Sequence, residues 1–323
     1  MPLNWYHGTA QPHGLPSAVV LQLVAILNPQ ADRGRTAKLA KSLRDALGQH
    51  CKVELLETTQ RREAIALARQ AGESRCDAVL AIGGDGTVHE VANGLMQLPA
   101  ARRPPMGIVP AGSGNDVAFA LGIDKDLART AEIFRRGRVR YIDVGNICAS
   151  NAQHCFCLNN VGLLLEGEIN GASHRLTWPR GSGLYVRAML QTFMRPLPAA
   201  ELQLTVDGRP LARRATILSL ANGPRSGGKF QLMPDATIDD GFFDYLMAPP
   251  VGRWKLLWNV RHALAGKRFD GEWIERGRFS RMTISADVPL VAHVDGEPWL
   301  AARDDARELT VQVQPASLPV LCP

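Results

Sequence analysis

Apolar positions along this chain follow two different periods. From Val19 to Leu27 almost every residue is apolar, as in a buried strand, and Asn28-Pro29-Gln30 ends the run in a polar turn. Thr36–Gln49 carries Leu39, Leu43, Ala46 and Leu47 at helical spacing, Lys52–Glu57 reads as a strand leading to Thr58-Thr59, and Arg62–Ala71 reads as a helix. Val79–Ile82 is a further buried strand. The turn Gly83-Gly84-Asp85-Gly86-Thr87 follows it, then a helix with Val88, Val91, Leu95 and Met96 at helical spacing. Met106–Pro110 is a short strand, and Ala111-Gly112-Ser113-Gly114-Asn115-Asp116 is a second glycine turn opening a helix. Strands alternating with helices predict a parallel, doubly wound α/β sheet. Ligands of such sheets sit beyond the strand C-termini, an edge that collects Asn28, Thr58 and the Gly83 turn.

Near Asp143 the texture changes. Short alternating runs take over at Cys155–Val161, Glu201–Val206, Arg214–Ala221, Gly241–Met247, Arg281–Ala286 and Glu308–Val313, with turn formers such as Asp207-Gly208 and Asp240-Gly241 between them. This pattern predicts an all-β sandwich, interrupted by helices over about Ser182–Met194 and Gly252–Ala265. The expected organisation is a loose Gly-, Pro- and His-rich arm over 1–17, a doubly wound α/β domain over 18–145 and a β-sandwich domain over 146–323. The last residues are candidates for a return into the first domain.

The first glycine turn carries the most chemistry. Glycine lets the chain take positive φ and bring N–H groups close to an anion. The helix start behind it adds unpaired N–H groups and the positive end of a dipole, a combination that favours phosphate. A carboxylate among these donors, Asp85, suits a site that also handles Mg²⁺ or a hydroxyl proton; the plainer alternative is a strand–helix turn with Asp85 as its cap. In the second turn, the plainer alternative is an N-cap box made by Ser113 or Asp116. No Gly-Lys-Ser/Thr follows either turn, so neither is a Walker A loop.

Gly83-Gly84-Asp85-Gly86-Thr87 followed by His89-Glu90-Val91 and Asn93-Gly94-Leu95 resembles the diacylglycerol kinase catalytic-domain superfamily, which includes soluble bacterial lipid kinases and sphingosine kinases. The Gly-Gly-Asp-Gly core alone is shared with NAD kinases and phosphofructokinases. In the superfamily the second turn reads Gly-Thr-x-Asn-Asp, with Ser113 standing here for the threonine. Asn222-Gly223 with Gly227-Gly228, then Pro234-Asp235-Ala236 and Asp239-Asp240-Gly241, resemble further family elements, as does Asp295-Gly296-Glu297. The resemblance implies an ATP- and Mg-dependent lipid kinase that moves the γ-phosphoryl group to a hydroxyl of a diacylglycerol-like or sphingoid lipid. Carried over, the nucleotide is held by Gly83, Gly84, Asp85, Gly86, Thr87 and Glu90, by Gly112, Ser113, Asn115 and Asp116, and along the same edge by Asn28 and Thr58. A Mg²⁺ is implied at Asp240 with the carbonyls of Thr237 and Phe242, where a plain hairpin turn is the alternative. The catalytic base is Glu297 or Asp85, with Glu297 preferred. Glu166 stands where the family commonly has an aspartate. The rival functions are a kinase for a soluble acceptor such as NAD, and a non-catalytic nucleotide- or lipid-binding protein.

Bulk properties trim this picture. A chain of 323 residues suits two domains, and 46% apolar content is ordinary for a globular protein. The net charge of +6 fits attraction to nucleotide phosphates or an anionic membrane face, and no nucleic-acid signature accompanies it. Six cysteines without a C-x-x-C framework predict free thiols in a reducing cytoplasm. The longest apolar run, Ala18–Leu27, is about half a bilayer span, so membrane contact is expected only at the periphery. Trp254, Leu257 and Trp258, with Arg253, Lys255 and Arg261 nearby, form either a membrane-touching face or, on the plainer reading of the i, i+4 pair, helix core. A homodimer is left open.

Overall fold

The computed structural model describes residues 20–29, 36–48, 51–176, 178, 182–228, 230–264 and 271–323; the arm expected over 1–17 lies outside the described residues. The chain forms two compact units, one running to Ile142 and including Ala316–Pro323, the other Asp143–Pro315.

In the first unit, β1 (Leu21–Leu27), β2 (Cys51–Glu57), β3 (Ala78–Gly83) and β4 (Met106–Pro110) lie parallel in the order β2-β1-β3-β4. The end of β16 (Glu308–Leu321) joins as a further parallel strand, with Val320 opposite Met106. Helices α1 (Thr36–Leu47), α2 (Glu63–Glu73), α3 (Asp85–Met96), α4 (Asp116–Ala120) and α5 (Leu127–Arg136) connect and cover the sheet. Strands β3 and β4 are buried along their whole length, which is why they read as unbroken apolar runs. Helix α5 is an element that the sequence pattern above does not include. Asp126 caps it by accepting the N–H groups of Ala128 and Arg129, and Gly137 closes it at φ 60°.

The second unit is antiparallel and sandwich-like. One layer runs from the first part of β16 through β13 (Arg281–Ala286) and β8 (Ala200–Val206) to β9 (Arg209–Ala215). The other has the order β12-β11-β10-β7-β14-β15, comprising β12 (Glu275–Phe279), β11 (Phe243–Ala248), β10 (Ile217–Ala221), β7 (Asn160–Leu164), β14 (Ala292–Val294) and β15 (Glu297–Leu300). A hairpin of β5 (Val139–Ala149) and β6 (His154–Cys157) leads in. Leu202, Leu204, Met282 and Ile284 from one layer share a core with Leu163, Leu218, Leu220 and Met247 from the other. The outer face of the second layer is covered by α6 (Leu165–Arg175), α7 (Ser182–Phe193) and α8 (Arg253–Leu264) through Ile169, Met189, Phe193 and Leu256.

Three expectations change. The run Arg214–Ala221 is two strands: the chain leaves one layer after Ala215 and enters the other at Ile217, where exposed alternation gives way to full burial. Glu308–Val313 continues to Leu321 because its far end finds β4 as a partner. Trp254 and Trp258 are 79% and 59% exposed, so they are not helix core; Leu256 supplies the buried side of α8 instead.

Candidate active site

Register sets the candidate nucleotide edge. Leu27 lies level with Glu57 and with Ile82, and Gly83 with Pro110, so all four parallel strands end in line. Asn28, Thr58, Gly84 and Ala111 therefore follow along one edge. The Thr58 N–H donates to the Leu27 carbonyl at 2.9 Å, and the Thr36 hydroxyl donates to that of Asn28 at 2.8 Å.

The two glycine turns touch backbone to backbone. A Cβ on Gly112 would stand 2.5 Å from the Cα of Gly84, so glycine is required by this approach rather than by positive φ. The Ala111 N–H donates to the Gly83 carbonyl at 2.8 Å. Asp85, first residue of α3, reaches across: its Oδ2 accepts the Asn115 N–H at 2.7 Å and its Oδ1 the Asp116 N–H at 2.6 Å. The side chain of the N-cap residue Asn115 does not cap α4; a carboxylate 30 residues upstream accepts the first amides instead. Asn115 takes φ 58°, and its side chain closes the loop by accepting from Gly112 N–H and donating to the Gly112 carbonyl.

Several residues named from the sequence take part in these bonds. The amides of Gly112 and Asn115, assigned to phosphate, donate within the turns. Thr87 is buried, with its hydroxyl packed where a Gly83 Cβ would be. Glu90 accepts the Arg62 N–H at 3.0 Å and so holds the start of α2. Gly86 lies in the first turn of α3, and Ser113 lies between Gly112 and Asn115 in the second glycine turn. Lys125, not singled out in the sequence, donates its ammonium to the Gly112 carbonyl at 2.7 Å and brings positive charge to the turns.

Glu297 and Asp240 belong to the second unit. Asp295-Gly296 is a two-residue hairpin turn at φ 51° and 83° that hands the chain to β15, whose first residue is the half-buried Glu297. The turn is gripped from several sides. The buried Asp295 carboxylate accepts the N–H groups of Leu158 (3.0 Å), Asn159 (2.8 Å) and Asn160 (3.1 Å), and the Cys157 thiol at 3.2 Å. The Gly296 carbonyl accepts from Asn170 at 2.7 Å and lies 3.0 Å from His174 Nε2, while its N–H donates to His293 Nδ1 at 3.3 Å. These partners of Asp295 lie more than a hundred residues away in sequence, so no local pattern points to them.

Behind this hairpin lies a buried pair. His293 Nε2 is 3.9 Å from Glu166 Oε2, an approach allowed by Gly162, where a Cβ would clash with both. Burial pushes the Glu166 carboxyl up to about 8, a rise the Ser219 hydroxyl only moderates. Burial also pulls the His293 imidazole down to about 4. Both groups are therefore neutral at pH 7. Glu166 also heads a mainly apolar cavity lined by Ile169, Met189, Phe193, Phe230 and Leu256.

The Asp240 turn does not fit the implied Mg²⁺. Asp240 Oδ1 accepts the Phe242 N–H at 3.1 Å, and Oδ2 accepts the Thr237 hydroxyl at 2.5 Å and the Arg278 guanidinium. The carboxylate assigned to the ion is already neutralised by a side-chain cation. Among the described residues no group of three or more His, Cys, Asp or Glu side chains is placed to hold a metal ion.

Comparison with known proteins bears on this geometry. Residues 22–147 match the diacylglycerol kinase catalytic domain, and residues 160–322 match the YegS C-terminal NAD kinase beta sandwich-like domain. The chain is 29% identical over 242 residues to the diacylglycerol kinase of Bacillus subtilis, covering 74% of this chain and 77% of that one. It is 29% identical over 311 residues to the diacylglycerol kinase of Mycobacterium tuberculosis, covering 94% and 95%. The crystal structure of a diacylglycerol kinase from Bacillus anthracis shares the fold, with a TM-score of 0.70 at 19% identity over 94% of this chain and 97% of that one. With both halves matched in order, the chain belongs to the kinase family that joins a diacylglycerol kinase catalytic domain to a YegS-type C-terminal domain.

Proposed function

We propose that the protein is an ATP-dependent lipid kinase, transferring the γ-phosphoryl group to a hydroxyl of a diacylglycerol-like or sphingoid lipid. The observation that carries the nucleotide half is the Gly84–Gly112 backbone contact stapled by Asp85 at the C-terminal edge of a parallel sheet. The start of α3 behind the first glycine turn provides a dipole suited to polyphosphate at that edge. Family membership supports the kinase chemistry, and the names of the relatives support a lipid acceptor.

In this reading Glu297 takes the proton of the acceptor hydroxyl as its oxygen attacks the γ-phosphorus, the bond to the β-phosphate bridge breaks, and ADP leaves. Asp85 is committed to two amides, which supports Glu297 as the base. The role of Asp85 is to hold the two turns together. Transfer through a loose transition state needs little covalent chemistry from the protein, so positioning and charge carry the rate. The test is mass spectrometry of products after incubating the protein with total lipid extract and ATP, beside a parallel incubation with NAD. Phosphorylated lipid supports the reading; phosphorylated NAD alone replaces it with the soluble-acceptor kinase, which the NAD kinase-like description of the C-terminal domain keeps as the second reading.

The acceptor is reached by peripheral contact with an anionic bilayer from the cytoplasmic side. Support comes from exposed Leu190 and Met194 at the end of α7, and from Trp254 and Trp258 on α8, a helix with no acidic residue and with Arg253 and Lys255 among its exposed positions. No helix among the described residues is long and apolar enough to cross a membrane.

A further inference from the structure

We infer that Arg278 is the built-in cation of the Asp240 turn, occupying with its guanidinium the place that the family resemblance assigns to a divalent metal ion. The turn Asp239-Asp240-Gly241 opens β11, and β12 runs antiparallel beside it with Arg278 directly opposite Asp244. That register sets the stem of Arg278 beside the acidic turn. It donates to Asp240 Oδ2, lies with its Nε 3.9 Å from Asp244 Oδ1, and covers the face of the Phe242 ring at 4.7 Å. A planar cation held by two carboxylates and an aromatic face is an arrangement in which arginine is not replaceable by lysine.

The remaining oxygen of Asp240 is also committed. Oδ1 takes the Phe242 N–H, and the neighbouring Asp143 carboxylate takes the Gly241 N–H at 2.6 Å. A hard divalent ion asks for several oxygens at once and gives up its waters reluctantly. To bind at Oδ2 it would have to displace the guanidinium. Asp240 and Asp244 thus share a cation supplied by the chain itself. On this inference the turn needs no divalent ion to hold its shape.

This inference stands independently of which acceptor is phosphorylated. It is tested on the nucleotide-free full chain by thermal melting in EDTA and in millimolar Mg²⁺. The melting temperature of the wild type is expected to be the same in both. Arg278→Met, which keeps the stem and removes the charge, is expected to melt lower by about 2–4 °C in EDTA, with Arg278→Lys recovering only part of the loss. The inference is overturned if Mg²⁺ raises the wild-type midpoint and Asp240→Asn cancels that rise, or if Arg278→Met melts with the wild type.

Discussion

Asp85, Glu297 and Glu166 are all carboxylates, and their surroundings give them different work. Asp85 spends its oxygens on amides at the start of α4, where a negative charge also suits the helix dipole. Glu297 begins a strand at the mouth of a locked turn. Replacing it by Gln keeps shape and removes the base, so turnover should fall on the order of 10²–10⁴-fold with the melting curve unchanged; a near wild-type rate would remove Glu297 from the mechanism. Glu166 is set apart by burial. Its folded pKa of about 8 lies above the ordinary 4.5, so the native state holds an extra proton between those values and stability declines as pH rises through that window. For His293 the folded value of about 4 lies below 6.5, so its contribution grows with pH across that interval. The two trends oppose one another between pH 4.5 and 6.5, leaving a net decline between 6.5 and 8. Denaturant titrations should show that decline in the wild type and its loss in Glu166→Gln.

Among the elements, the β14–β15 hairpin and helix α8 show how much a short segment borrows from its neighbours. Two residues at positive φ suffice to turn the chain, and Asp-Gly supplies them. The turn is nevertheless fixed by β7 and α6, through the Asp295 carboxylate and the grip on the Gly296 peptide. Asp295→Asn places an amide among buried N–H donors and should cost about 2–4 kcal/mol, measured by urea unfolding; a loss within experimental error would reduce Asp295 to a turn former. On α8, the spacing of Trp254 and Trp258 correctly put them on one helical face, but period alone does not say whether that face meets protein or water. The exposed answer leads to a second expectation. Trp254→Ala/Trp258→Ala should bind vesicles rich in anionic lipid at least several-fold more weakly than the wild type, by co-sedimentation. Equal binding would leave these tryptophans without a membrane role.

Across the whole molecule the final strand carries the chain back to the first unit, where Leu318, Val320 and Leu321 are buried. The buried Arg103 ties this segment down by donating to the Ser317 carbonyl and, with its other N–H groups, to the carbonyls of Leu95 and Leu98. Deleting 316–323 exposes one edge of β4 and strips an acceptor from a buried guanidinium. The first unit should then be cut by protease much faster than in the full chain, as read by peptide mapping; unchanged cleavage would show that the returning segment contributes nothing to it.

The amino-acid sequence alone determined the two textures, the parallel strands, both glycine turns and the family, because each is written in local periods or in consecutive residues with unusual backbone freedom. It did not determine who answers each charge. Asp85 meets amides 30 residues on, Asp295 meets amides more than a hundred residues back, and Asp240 meets Arg278 across a strand pair. Those partners are chosen by strand register and by close backbone approach, which exist only once distant segments have packed. The same packing decided that a carboxyl at 166 keeps its proton, since desolvation depends on what surrounds a group and not on its neighbours in the chain.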